Sequence, residues 1–125
     1  MPRQPLPTAP PFVLVWAPGC SDSARERSLH LKFLFIGEIV GSSGVFTVKS
    51  LLPALRRELG VDVVIADGEG ATGGFGIGKA HAIYLHKLGI DVITTGECAY
   101  YKKDIVEHMA KARYMLRPCN YPWDN

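Results

Sequence analysis

Three acidic residues follow three glycines at the ends of three apolar runs. Gly37-Glu38 closes Leu31-Lys-Phe-Leu-Phe-Ile, Gly68-Glu69 closes Asp62-Val-Val-Ile-Ala-Asp, and Gly96-Glu97 closes Asp91-Val-Ile-Thr-Thr. Glycine allows a sharp turn after a strand, so the next side chain is free to project into a crevice. Carboxylates gathered on one rim repel one another unless positive charge sits among them, and hard oxygen donors suit a divalent cation. The alternatives are three separate solvated loop acids, or ion pairing with Lys79 and Arg117. A second chemical signal is the stretch GATGGFGIGKA from Gly70 to Ala80, which read from Gly73 has the G-x-x-x-x-G-K spacing of a phosphate-binding loop. Ala80 stands where such a loop needs a hydroxyl for Mg²⁺, and Glu69 places an acid just ahead of the glycines. Both features argue against a phosphate-binding loop and leave two readings: a tight strand-to-helix connection and nothing else, or a link in which Phe75 covers a site and Lys79, near a helix start, attracts an anionic substrate.

The elements that would position these residues follow from periodicity. The run from Leu31 to Gly37 reads as a buried parallel strand, and Val48, Leu51, Leu52, Leu55 and Leu59 recur at helical spacing up to Gly60, with Pro53 predicting a kink or a delayed start. Asp62–Gly68 is a second strand, Gly78–Leu88 a helix closed by Gly89, and Asp91–Gly96 a third strand. Tyr101–Lys111 is a third helix, and Tyr114–Arg117 begins a fourth strand. Strand and helix alternating in this way predict an α/β fold with a mostly parallel sheet and right-handed crossovers. Ligands of such sheets gather outside the carboxyl ends of the strands, where the three glutamates fall.

The bulk numbers restrict the function. A chain of 125 residues that is 47% hydrophobic is long enough for one small core. A formal charge of +2 with dispersed Lys and Arg gives no nucleic-acid groove. No apolar run is long enough to span a bilayer, and Cys20, Cys98 and Cys119 fall at unrelated spacings, which fits a reduced, cytoplasmic protein. Six of the nine prolines lie in the first 18 residues and SDSARERS follows. Residues 1–29 are therefore expected to be a disordered or mis-assigned leader, and residues 30–125 the folded part.

In this order the blocks LKFLFIGEIVGSSGVFTVKSLLPALR, VVIADGEGATGGFGIG, DVITTGECAYYKKDIVEH and LRPCNYP resemble the YmdB-like metallophosphoesterases, calcineurin-type phosphodiesterases whose substrates include 2′,3′-cyclic nucleotides. The likeness runs from Leu31 to Pro122 and covers the first half of the family's domain. It implies a metallo-dependent-phosphatase fold, here half of a layered α/β sandwich, two divalent metal ions (Mn, Fe or Mg), and a small phosphodiester or nucleotide as substrate. Glu38 stands where the family has a ligand aspartate, Glu69 matches the glutamate of its GEN block, and Gly70 replaces the asparagine. Glu97 and Cys98 stand at the asparagine and histidine of the GNH block, which puts Cys98 at the proton-donor position. The family's other metal ligands are histidines of its second half; His30, His81, His86 and His108 do not match them. The resemblance therefore implies a phosphodiesterase that is incomplete as this chain alone, completed by a second copy or a partner. The alternative is a non-catalytic relative that binds a cation or nucleotide, or serves in an assembly.

Overall fold

A computed structural model describes residues 13–16 and 30–121. Its elements are β1 (Val13–Trp16), β2 (Phe33–Ile36), α1 (Gly41–Leu59), β3 (Val63–Asp67), α2 (Lys79–Lys87), β4 (Val92–Thr94), α3 (Lys103–Met109) and β5 (Met115–Leu116). They form one five-stranded sheet in the order β1-β2-β3-β4-β5. Strands β2 to β5 are parallel, and β1 joins β2 antiparallel with Val13 opposite Ile36 and Trp16 opposite Phe33. The expected leader, residues 1–29, thus contributes one edge strand; its remaining residues lie outside those described.

The parallel strands advance one place at each crossover and never reverse. With right-handed crossovers, such an order puts every helix on the same face. Burial agrees: Leu34, Val64, Ala66, Ile93 and Met115 point to one side, and the same core holds Val45, Val48 and Leu52 of α1, Ala82 and Leu85 of α2, and Ile105 of α3. The residues between them, Phe33, Phe35, Val63, Ile65, Val92 and Leu116, point the other way and are half-buried or exposed.

Helix α1 begins at Gly41, seven residues before Val48, the first residue of the expected apolar stripe, and runs through Pro53. Proline removes one backbone bond, but Leu52, Leu55 and Leu59 pack against the sheet around it, and that burial outweighs the local loss. Gly60, at φ 62°, ends the helix in the left-handed conformation, its N–H bonded to the Arg56 carbonyl. The next residues, Gly60-Val61-Asp62, have a counterpart at Gly89-Ile90-Asp91, and the two triplets do the same work. Val61 and Ile90 are buried. Each aspartate then pairs with the start of the neighbouring strand: Asp62 accepts the Lys32 N–H and donates its own N–H to the Lys32 carbonyl, and Asp91 does the same with Val64. The Arg56 guanidinium ties the two triplets together, donating to the carbonyls of Gly89 (2.7 Å) and Asp62 (3.0 Å) and pairing with the Asp91 carboxylate at 3.2 Å.

In the last turn of α2, at this same end, the His86 ring stacks on Tyr114 with centroids 3.9 Å apart, and its Nδ1–H donates to the Ile90 carbonyl. The Tyr114 hydroxyl pairs with His108 Nε2 at 2.6 Å. Burial pushes the Tyr114 hydroxyl above the usual tyrosine value, because the phenolate would lose its hydration. The folded state holds this proton more tightly than the unfolded state, so the contribution is intact below the usual tyrosine value and is lost as pH rises through the folded one. Chemical denaturation between pH 8 and 11 should show stability falling at the alkaline end. Tyr114→Phe should flatten that fall and lower stability near neutrality by about 1 kcal/mol through the lost hydrogen bond.

Candidate functional site at the carboxyl ends of β2, β3 and β4

The strand ends are laced together by backbone. Ile39 donates to the Asp67 carbonyl, Gly41 to Gly70, and Gly68 to Thr94. The Gly41 bond matters most, since it supplies the start of α1 with an acceptor that no side chain provides. In consequence the segment bearing Glu38 is pinned over the segment bearing Glu69.

Two of the three strand-end glutamates are seated on glycines of the adjoining segment. Glu38 Oε1 lies 2.5 Å from the place a Cβ on Gly70 would take. A Cβ on Gly96 would fall inside the Glu69 carboxylate. The Cys98 N–H donates to Glu69 Oε1 in a very short bond, and the Glu69 N–H donates in turn to Asp67 Oδ1 at 3.0 Å. Glu69 is therefore held at both its backbone and its carboxylate. Glu97 is exposed, and the contact its residue makes is through its backbone carbonyl, which accepts from the Tyr121 hydroxyl. Sequence reasoning gave the three glycines of the repeated dipeptides one role, but they differ. Gly37 has open space around it and Gly68 is hemmed in by core isoleucines, while Gly96 makes room for Glu69.

Glu38 and Glu69 are hard oxygen donors, the kind a divalent cation accepts. Among the described residues, however, no group of three or more His, Cys, Asp or Glu side chains is placed to hold a metal ion. These residues do not by themselves fit the two-metal centre that the resemblance implies.

The glycine loop is stapled from within. Thr72 Oγ1 accepts the Gly78 N–H at 2.8 Å and pairs with His81 Nδ1 at 2.7 Å, while Gly73, Gly74 and Gly76 adopt positive φ. At the start of α2, where a phosphate-binding loop would place its anion, Asp104 of the α3 segment accepts the Lys79 N–H at 3.0 Å. The protein's own carboxylate occupies that helix end, and Lys79 beside it is exposed. Asp104→Ala should cost about 0.5–2 kcal/mol in urea unfolding, the ordinary loss of a helix cap. Asp67 and Asp104 were the residues sequence reasoning passed over. Asp67 was legible as the last residue of its strand, two before Glu69; Asp104 was not, because it lies 25 residues from the amide it caps.

Residues 34–125 match the profile of a family described as YmdB-like protein, which is most of the chain. The chain belongs to the YmdB-like family. Among family relatives, the 2′,3′-cyclic-nucleotide 2′-phosphodiesterase of Bacillus subtilis is 34% identical over 92 residues, covering 74% of this chain and 35% of that protein. A Mycoplasma genitalium protein with the provisional name phosphatase/phosphodiesterase is 30% identical over 95 residues, covering 76% and 34%. Two crystal structures share the architecture. A phosphatase from Mycoplasma pneumoniae has a TM-score of 0.70 at 28% identity, covering 74% of this chain and 33% of its own. A hypothetical protein from Thermus thermophilus has 0.67 at 31%, covering 74% and 36%. This YmdB-like chain spans about a third of the length of the curated relatives it matches, less than the half that the resemblance implied.

Proposed function

We propose that this chain is the carboxylate-bearing part of a phosphodiesterase acting on small phosphodiesters such as 2′,3′-cyclic nucleotides, and that turnover needs residues beyond those described. The observation that supports this most is the pair of carboxylates at adjacent parallel strand ends, Glu38 over Gly70 and Glu69 over Gly96, in a chain similar to a named phosphodiesterase. Both are kept in place by features that leave space for nothing larger than hydrogen at residues 70 and 96. Their role in this reading is to present negative charge and oxygen donors at the rim where a phosphodiester would be attacked. A metal centre there would draw on Glu97, the third strand-end glutamate, and on further donors from elsewhere in a completed domain. Cys98 takes the proton-donor position by resemblance, and Lys79 the attraction of an anionic substrate.

The reading is tested with 2′,3′-cyclic AMP and bis(p-nitrophenyl) phosphate, with and without Mn²⁺. The chain alone should give no hydrolysis above buffer. A domain completed with the remainder of a family member should hydrolyse at least one of them, and Glu69→Gln should lower its kcat/KM at least about a hundredfold, the scale of losing one group that acts on the transition state. A completed, folded domain that is inactive, or indifferent to Glu69→Gln, would overturn the reading.

The setting goes with it. The free thiols Cys98 and Cys119 support a cytoplasmic setting in this reading; separately, no helix among the described residues is long and apolar enough to cross a membrane. A second reading, a non-catalytic assembly module, is favoured by the lack of a three-donor group among the described residues. It predicts that the completed domain binds a nucleotide or cation without turnover.

A further inference from the structure

We infer that the exposed pair Phe75 and Tyr101 is a stacking platform for a nucleobase, which makes these two residues the determinants of preference for phosphodiesters that carry a base. The identity of the ligand rests on the phosphodiesterase reading above. Phe75, in the glycine loop, is 64% exposed, and Tyr101, in the segment before α3, is 63% exposed. Their ring centroids lie 6.3 Å apart with the planes tilted by 42°. The pair is therefore already formed, yet most of both rings faces solvent. Close by in the chain, Ala71, Ile77, Ala99 and Ile105 are fully or almost fully buried. Open aromatic rings of this kind suit a flat, polarisable ligand, and every nucleobase offers them a π face.

The backbone holds both rings. Thr72 donates its N–H to the Gly76 carbonyl and accepts the Gly78 N–H on its hydroxyl, which closes the loop around Phe75. Tyr101 donates its N–H to the Cys98 carbonyl at 3.0 Å. Gly76, at φ 70°, lies against that turn: a Cβ on it would come 3.0 Å from Tyr101 Cβ and 3.2 Å from the Cys98 carbonyl oxygen. Little ordering is left for a ligand to impose, which favours binding. The position also fits. Cys98 donates its N–H to the Glu69 carboxylate and accepts from Tyr101 on its carbonyl, so a single residue links the strand-end carboxylate to the platform. Charge points the same way. Lys102 Nζ lies 5.0 Å from the centroid of the Tyr101 ring, and the exposed Lys79 follows Phe75 by four residues. A surface that joins aromatic faces to ammonium groups matches a nucleotide, aromatic at one end and anionic at the other, better than it matches an uncharged apolar partner.

The test separates the base from the phosphate. 2-Aminopurine riboside carries no charge, and its fluorescence is quenched when its base stacks. Titrated with the 125-residue chain, it should show saturable quenching. Phe75→Ala and Tyr101→Ala should each raise the dissociation constant at least about fivefold, the low end of what one stacked base contributes. Phe46→Ala, at an aromatic on α1 that is 67% exposed, should leave it unchanged. Absence of quenching, or equal quenching by the native chain and all three variants, would overturn the inference. The second measurement uses the completed domain and compares kcat/KM for 2′,3′-cyclic AMP with that for methyl ribofuranoside 2′,3′-cyclic phosphate, the same cyclic ester without a base. Phe75→Ala should lower the ratio of the two at least about fivefold. An unchanged ratio, whether or not both rates fall, would make Phe75 a cover for the site rather than a platform and overturn the inference while leaving the phosphodiesterase reading intact. Stacking by the chain beside an inactive completed domain would do the reverse, so the two fail separately.

Discussion

Ile93→Ala is expected to lower the stability of the chain by about 2–5 kcal/mol, the range for emptying a well-packed core position. Ile93 is fully buried at the centre of β4, flanked by Ala66 of β3 and Met115 of β5. Its Cγ2 also lies 2.7 Å from the place a Cβ on Gly68 would take, with Ile77 Cδ1 at 3.0 Å. A side chain at Gly68 must therefore push a β-branched residue that has nowhere to go, and Gly68→Ala should cost about 1–3 kcal/mol by overpacking. Because each change alters the space the other needs, the double variant should be more stable than the two losses predict. The measurement is a double-mutant cycle in urea, in which a coupling of about 0.5 kcal/mol or more is expected and simple additivity would show that Gly68 is not held by Ile93.

Asp91→Ala is the second large effect. Asp91 Oδ2 accepts the N–H of Val64, which has no exposure, at 2.8 Å, and the same oxygen meets Arg56 at 3.2 Å. Truncation leaves a donor beside a fully buried residue without its acceptor, a loss of about 1–3 kcal/mol. The ion pair itself adds little, since both side chains are about a third or more exposed and solvent screens them. Arg56→Ala should accordingly act mainly through its bonds to the Gly89 and Asp62 carbonyls. Asp91→Asn should recover less than half of the loss if the acceptor needs its charge, and most of it if geometry suffices; equilibrium unfolding of the three variants separates these.

Much of this arrangement was legible in the sequence. The apolar runs before Gly37, Gly68 and Gly96 became β2, β3 and β4, because four or five apolar residues bounded by glycine are too short for a core helix. Of the expected stripe, Val48, Leu52, Leu55 and Leu59 became the inner face of α1, while Leu51 turned outward and is exposed. Pro53 misled about its course, since packing on the sheet overrode a local preference. Strand β1 was hidden by the prolines around it, although its own four residues, VLVW, have strong β character. The pattern put Glu38 and Glu69 at strand ends, as the structure does, but gave no hint that each rests on a glycine from the neighbouring segment. That fact depends on how adjacent strand ends stack, which no local spacing encodes. The single-sided packing of the helices was implicit in the strand order, and strand order is a long-range property that periodicity leaves open.

The central claim is that Glu38 and Glu69, on their glycine seats, belong to a phosphodiester-hydrolysing site. Hydrolysis of 2′,3′-cyclic AMP by the completed domain, compared between the native residues and Glu69→Gln at equal melting temperature, tests it most directly. A measurable rate that falls at least about a hundredfold in the variant is the predicted result. A folded, completed domain whose rate is zero or unchanged by Glu69→Gln would contradict it.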